Sequence, residues 1–250
     1  MQLTELVEVM DSWLGNREVP DYPGAHNGLQ VANSGSVTRV AAAVDASLPV
    51  IEAAVAAGAD LLIVHHGLFW QGVQPIVDAR YHKLKAAFDG GLAIYSSHIP
   101  LDIHPQLGNN VQLARALGMT DAEPFFDFKG ILLGQTAEME GTCAELREKL
   151  AEVVGGPVHL CPGGGAAAGR VGIITGGAGS EVEAIAKCGI NTFITGEGPH
   201  WSFPLAQECG INVLYAGHYA TETSGVQALA RELEAHFDLP WEFLDHPTGL

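Results

Sequence analysis

Several features that would point to other functions are missing from this sequence of 250 residues. Lysine and arginine total only 12, against 29 aspartates and glutamates, and the basic residues form no cluster. The resulting negative field repels phosphate backbones, which argues against nucleic acid as a partner. No apolar run approaches the length of a membrane span, and residues 1–5 lack the basic and apolar regions of a signal peptide. We therefore expect a cytoplasmic protein without a membrane partner.

The signatures of several chemistries are missing as well. The cysteines form no C-x-x-C pair, which disfavours a zinc knuckle or a redox pair and predicts reduced, mostly buried thiols at Cys143, Cys161, Cys188 and Cys209. The glycines at 163–165 are not followed by the Lys-Ser/Thr of a phosphate-binding Walker A loop. The G-x-S-x-G nucleophile elbow of many serine hydrolases is also missing.

What the sequence contains is a repeated alternation of apolar strands and amphipathic helices. Strand, helix and strand in succession predict parallel pairing with helices covering the sheet, which is an α/β fold. The similarity between residues 51–63 and 182–194 indicates an internal duplication. We therefore predict two pseudo-symmetric α/β lobes with mostly parallel sheets, residues 1–122 and 123–250, intertwined as one compact unit. A metal site is then expected between the lobes, where the carboxyl ends of the strands converge.

Side chains that can bind metal ions follow the predicted strands. Three strand ends deliver them: His65-His66, His98 with Asp102, and His218 with Glu222. An acid four residues past a histidine can fold back onto the same site. Because neighbouring strand residues point to opposite faces, His65 and His66 share a site only if the backbone turns, which Gly67 permits. Mixed histidine and carboxylate ligands suit zinc, iron, manganese or nickel without selecting one, so the sequence predicts a two-metal site of unspecified metal.

Alternative explanations exist for several of these residues. Asp102 and Glu222 could each be an acid that offsets the dipole at a helix start. Asp45 could support a metal ligand from behind or cap a helix, and the cap is the favoured interpretation. Glu197 takes the place of His66 in the second repeat, and we predict that it is an acid/base group or a substrate contact.

Four motifs in a fixed order resemble a known family. They are Asn27-Gly28-Leu29-Gln30-Val31, His65-His66-Gly67-Leu68-Phe69-Trp70, Ser97-His98-Ile99-Pro100-Leu101-Asp102 and Gly217-His218-Tyr219-Ala220-Thr221-Glu222. Together they resemble the dinuclear-metal hexameric proteins labelled GTP cyclohydrolase 1 type 2 homologue, the NGG-one-interacting-factor-three-like family. The resemblance runs from end to end. It departs at His26, where the family often has an acid, and in residues 121–170, which are too short for the inserted domain of many relatives.

The resemblance implies a two-lobed α/β fold that assembles into a ring-shaped homohexamer. It also implies two divalent metal ions per chain at sites that face an internal cavity. By motif position the implied ligands are His65, His66, Asp102, His218 and Glu222, with Glu222 bridging. His98 then becomes a neighbour of the cluster, although the internal repeat alone ranks it with His218.

These features together predict a metal-dependent hydrolase of a small molecule, for which the family label suggests a nucleotide. Water activated by the two cations would attack the substrate, while Glu197 or His98 transfers protons. The alternative is a noncatalytic metal-handling or regulatory protein, which exchangeable metal without turnover would favour. The family's toroidal shape also suggests a ring around DNA, which the acidic charge opposes.

Overall fold

The computed structural model of the chain describes residues 1–72 and 74–250. The helices are α1 (Leu3–Leu14), α2 (Leu48–Ala56), α3 (Asp78–Asp89), α4 (Ile99–Asp102), α5 (Asn109–Ala116), α6 (Cys143–Val154), α7 (Val182–Lys187), α8 (Ser202–Cys209), α9 (His218–Thr221) and α10 (Thr223–Phe237). The strands are β1 (Gly28–Val31), β2 (Val40–Asp45), β3 (Leu61–His66), β4 (Ala93–Ser96), β5 (Glu123–Phe128), β6 (Ile131–Thr142), β7 (His159–Cys161), β8 (Ala167–Ile173), β9 (Thr192–Thr195), β10 (Asn212–Tyr215) and β11 (Trp241–Phe243).

The chain divides into two compact units. The first contains Met1–Leu107 and Gly225–His246, and the second contains Gly108–Ser224 and Pro247–Leu250. The sequence-based boundary lay between residues 122 and 123, whereas in the structure α5 belongs to the second unit and most of α10 returns to the first.

The first unit is built on a mostly parallel sheet. Within the described residues its strand order is β1-β4-β3-β2-β11, and only β1 runs antiparallel to its neighbour. Alternate residues of β3 enter opposite cores, since side chains alternate across a strand. Leu61 and Ile63 pack in the core that includes α1 and α10, while Leu62 and Val64 pack in the core that includes α2. A strand buried on both faces explains why residues 61–64 read as one continuous apolar run.

The second unit has a mixed sheet of order β5-β6-β8-β9-β10-β7. Its centre, β8-β9-β10, is parallel, whereas β5, β6 and β7 each pair antiparallel. The predicted α/β fold with two sheets is confirmed. The mostly parallel description fits the first sheet better than the second, because the hairpin of β5 and β6 extends the second sheet with antiparallel strands.

The two units share an internal plan that agrees with the predicted duplication. Each has three successive parallel strands, β2-β3-β4 in the first and β8-β9-β10 in the second. Each also has an antiparallel strand at the far edge, β1 beside β4 and β7 beside β10. The chain leaves β4 toward His98 and leaves β10 toward His218. Equivalent strand ends therefore carry the histidines in both units.

All the cysteines lie in the second unit as reduced thiols. Cys143 and Cys161 are buried, and burial raises the pKa of both thiols. Cys209 is half-buried and Cys188 is exposed, so the predicted burial holds for only two of the four.

The described part of the chain contains no helix of the length and apolar character that crossing a membrane requires.

Candidate metal centre

Strand β3 delivers His65 and His66 to one place at its carboxyl end. Their ring centroids are 4.8 Å apart. Gly67 follows this pair, and the close approach of the Gln30 side chain leaves no space for a larger residue there. A Cβ on Gly67 would lie 2.2 Å from Nε2 of Gln30, and Oε1 of Gln30 accepts a hydrogen bond from the Leu68 amide at 2.7 Å. Gly67 is not in the left-handed region, so it provides space for Gln30 and not a left-handed turn.

His98 joins this pair. Its ring centroid lies 4.9 Å from that of His65 and 5.6 Å from that of His66. One ring nitrogen from each of the three histidines lies within 4.8 Å of the others, which is close enough to hold a metal ion. The indole of Trp70 stands edge-on to His98 with centroids 4.8 Å apart. His98 is therefore as near to His65 as His66 is, although motif position had placed it outside the ligand set.

Asp102 completes the group in the first unit. It is the last residue of α4, and its side chain is buried. Its Oδ2 lies 3.5 Å from Nε2 of His65. A carboxylate oxygen and an imidazole nitrogen that face one another in a buried place are a suitable donor pair for a divalent cation.

The second unit carries its own group around His218, the first residue of α9. Nε2 of His218 lies 3.1 Å from Oε2 of Glu222, which is only 2 % exposed. On the other side of the ring, Nδ1 lies 2.9 Å from Oε1 of Glu197. The backbone of Gly176 presses against this pair, because a Cβ there would lie 2.1 Å from Oε1 of Glu222. Gly176 also has a positive φ of 70°, so two separate constraints favour glycine.

Each of the four histidines has its Nδ1 next to a hydrogen-bond acceptor. The acceptors are the Ser97 carbonyl for His65 at 3.0 Å, Asp45 for His66, Asp21 for His98 and Glu197 for His218, these three at 2.9 Å. Carbonyl and carboxylate oxygens accept, so we assign the proton to Nδ1 and the lone pair of the neutral ring to Nε2. Histidines that bind metals are held in this way. Imidazole nitrogens with carboxylate oxygens fit zinc, iron, manganese or nickel, so the residues present suit divalent ions.

The expectation that Asp45 caps a helix is wrong. Ser47 caps α2 instead, and its side chain accepts from the Val50 amide. Asp45 is paired with His66 in the register of β2 and β3, which places the two side chains together. Its role is therefore to hold the His66 ring.

Asp21 was missed by the sequence-based reading. Beside His98 Nδ1, it accepts hydrogen bonds from the Ile99 amide and from Asn27 Nδ2, at 3.0 and 2.8 Å. Asn27 in turn accepts from the His98 amide at 2.8 Å. Burial raises the pKa of Asp21, but the bonds from His98 and Asn27 outweigh it and hold the pKa below its usual value. Asp21 is thus an ionised acceptor, and the signal that could have led to it was the nearby Asn27 motif.

Removing an acceptor behind a histidine is expected to weaken metal binding. For Asp45→Ala we expect an affinity about 10- to 100-fold lower, measured by competition with a chromogenic chelator, because the His66 ring loses its orienting partner. Asp89→Ala, which removes an exposed acid from α3, is the matched control and should bind as the native protein does. Equal affinities for the two variants would show that Asp45 does not support a ligand.

The metal-free protein should show an unusually basic histidine in the second unit. Burial lowers the pKa of His218, but hydrogen bonds and charge from Glu222 and then Glu197 outweigh it and raise the pKa to about 9. Since this value is above the unfolded value of about 6.5, the stabilisation is complete below pH 6.5 and is lost as the pH rises through 9. An NMR titration of His218 should show this midpoint, and Glu197→Gln should lower it. A midpoint near 6.5 in the native protein would contradict the assigned contacts.

Comparisons with known proteins identify relatives of this chain by sequence and by fold. The family model Duf34/NIF3 (NGG1p interacting factor 3) matches residues 1–248. A protein of Deinococcus radiodurans named GTP cyclohydrolase 1 type 2 homolog is 42% identical over 243 residues, covering 95% of this chain and 92% of that protein. An Escherichia coli protein of the same name is 36% identical over 253 residues, covering 99% of both.

Solved structures of similar proteins match the fold of this chain over its whole length. The protein ybgI, described as of unknown function, has a TM-score of 0.93 at 35% identity, and all of both chains is covered. TTHA1606 from Thermus thermophilus has a TM-score of 0.88 at 40% identity, again over all of both chains. Because the sequence match and the structural match both run over nearly the whole length, the chain belongs to the Duf34/NIF3 family.

Proposed function

We propose that this protein binds two divalent metal ions per chain and uses them to hydrolyse a small molecule. In this proposal His65, His66 and Asp102 from the first unit and His218 and Glu222 from the second would hold the ions. The two sets are joined by their equivalent places in the internal repeat and by membership of the family. The observation that carries the proposal is the acceptor behind each Nδ1, which leaves Nε2 to face a metal, and in His65 and His218 this nitrogen lies beside a carboxylate oxygen.

Different residues of the chain would have different roles in this hydrolysis. Bound divalent cations supply Lewis acidity and lower the pKa of water at the site. Asp45 and the Ser97 carbonyl hold the rings of His66 and His65, and Glu197 holds that of His218. Glu197 or His98 would transfer protons, since each side chain lies beside a histidine that would hold metal. The substrate is a small molecule, and the names of the relatives suggest a nucleotide.

The proposed hydrolase activity can be tested by measuring whether turnover depends on bound metal. The protein loaded with zinc, manganese or iron would be assayed on nucleotides, phosphoesters and amides, then treated with a chelator and reloaded. We expect hydrolysis of one class that disappears with the metal and returns with it. A fully metallated protein that leaves every class untouched would contradict the hydrolase, and exchange of the bound metal would then support a metal-handling role.

We also propose that the protein acts in the cytoplasm and that it forms a homohexamer, and the homohexamer is proposed from the resemblance to the family. Light scattering after size exclusion should give six times the mass of one chain. A monomeric mass at micromolar concentration would contradict the assembly.

A further inference from the structure

The second unit contains a cavity of about 530 Å³, and the proposed metal ligands are not among the described residues that line it. Small-molecule sites in proteins typically enclose about 300–1,000 Å³. The cavity lies beyond the carboxyl ends of β9 and β10, since Glu197 follows β9 and Tyr215 is the last residue of β10. Ligands of α/β proteins usually bind at such strand ends. Its size and position are therefore those of a binding site.

Aromatic side chains form one side of the cavity. His159 of β7 and Tyr215 of β10 are directly paired across the two strands. Their rings are inclined by only 28°, with centroids 6.4 Å apart, and the ring of Phe203 from α8 lies 5.7 Å from that of His159. Aromatic faces of this kind bind planar rings by stacking. The wall therefore favours a flat, unsaturated ligand over a sugar or an aliphatic chain.

Tyr215 and Glu197 can each accept a hydrogen bond from a ligand in the cavity, which the imidazoles of His159 and His200 also line. Ser202 donates its single hydroxyl proton to the Pro199 carbonyl at 2.6 Å, so in its 2.7 Å contact with Tyr215 the tyrosine hydroxyl is the donor. The tyrosine oxygen then retains its capacity to accept a hydrogen bond. Glu197 adds a carboxylate, and only Oε1 is engaged with His218 at 2.9 Å. Acceptors of this kind call for N–H donors on the ligand.

The charged residues that line the cavity limit the charge that a ligand can carry. Among the described residues that line the cavity there is no lysine or arginine, and Glu197 contributes a negative charge. Glu197 would repel an anionic group such as a phosphate, so we expect that group to lie away from this carboxylate. The part of the ligand that contacts Glu197 is thus expected to be neutral or cationic.

We propose that this cavity binds a planar heteroaromatic ring that carries amino or ring N–H groups and is about the size of a nucleobase. Glu197 connects this ring to the metal centre, because the same carboxylate lines the cavity and holds the metal ligand His218. The inference names a substrate class for the proposed hydrolase and rests on that function for what happens after binding. Binding itself does not require metal.

Calorimetric titration with neutral nucleosides tests the proposal on the full-length protein, both metal-loaded and chelator-treated. Adenosine should bind in both states and at least tenfold more tightly than purine riboside, which has the same ring and sugar without the amino group. Ribose should show no binding. Phe203→Ala should weaken adenosine binding by about tenfold or more, as expected for the loss of a stacked ring. Phe88→Ala removes a phenylalanine that is 63% exposed in the first unit and should leave binding unchanged.

A second variant protects the test against misfolding of Phe203→Ala, since Phe203 is partly buried. Glu197→Gln keeps the size of the side chain and should reduce the preference for adenosine over purine riboside. Failure of every nucleoside to bind the native protein would overturn the proposal, as would equal losses in Phe203→Ala and Phe88→Ala. Metal content and turnover are measured separately, so loss of ring binding with intact turnover would contradict only this inference.

Discussion

The Glu222→Gln variant is expected to bind metal more than about 100-fold more weakly than the native protein. Loss of a group that only hydrogen-bonds to a ligand typically costs about 10- to 100-fold, and loss of a ligand should cost more. Glutamine keeps the size of the side chain but removes its charge, at a residue that is 2 % exposed and whose carboxylate lies 3.1 Å from Nε2 of His218. Little water can reach the site to replace the lost ligand. Titration of the metal-free variant against a competing chelator measures the effect.

The matched control for this variant is Glu208→Gln, which makes the same chemical change at an exposed place on α8. It should bind metal like the native protein. If Glu222→Gln also retained native affinity, Glu222 would not be a ligand, and the assignment of the second unit to the metal centre would be wrong.

Replacing Gly176 by alanine is expected to have the second large effect. The added Cβ would lie 2.1 Å from Oε1 of Glu222 and 3.3 Å from Nε2 of His218, so the carboxylate has to move away from its partner. We expect at least tenfold weaker metal binding. The measurement is metal affinity beside the free energy of unfolding of the metal-free protein.

Gly189→Ala separates the clash from backbone strain. Gly189 has a φ of 77°, similar to the 70° of Gly176, but nothing lies within 4 Å of its Cβ position. Both variants should lose about 1–2 kcal/mol of stability from the left-handed backbone. Only Gly176→Ala should lose metal affinity, and equal affinities in the two variants would count against a tight fit around Glu222.

The sequence was most informative where local pattern decides structure. The apolar run before His65 identified β3, because a strand buried on both faces has no polar residues. The recurrence of a histidine and an acid four residues later, after two equivalent strands, predicted His98 with Asp102 and His218 with Glu222 as parts of a site. The three parallel strands of each unit explain why that recurrence was informative.

Residues that act through distant contacts were much harder to predict. Asp21 lies 77 positions before His98, and Gly176 lies far along the chain from Glu222. Neither stands in a pattern of its own. Asp45 was misassigned for a related reason, since its partner depends on the register between β2 and β3, which the sequence alone does not determine.

The hairpin of β5 and β6 is a part of the fold that was also hard to predict, because its structure depends on pairing between strands. The sequence alone gives no clear sign that β5 is a strand. Its residues mix exposed and buried positions without regular alternation, so the period-two signal of a half-buried strand is weak. Pairing with β6 determines the conformation of this segment.

Metal content per chain is the most direct test of the central claim. Untagged protein would be measured by plasma mass spectrometry beside the double variant His65→Ala/Glu222→Ala. We predict about two metal ions per native chain and their loss in the variant, with an unchanged circular dichroism spectrum. Native protein that contains no metal, even after zinc, manganese or iron is added, would contradict the account and assign these residues a structural role.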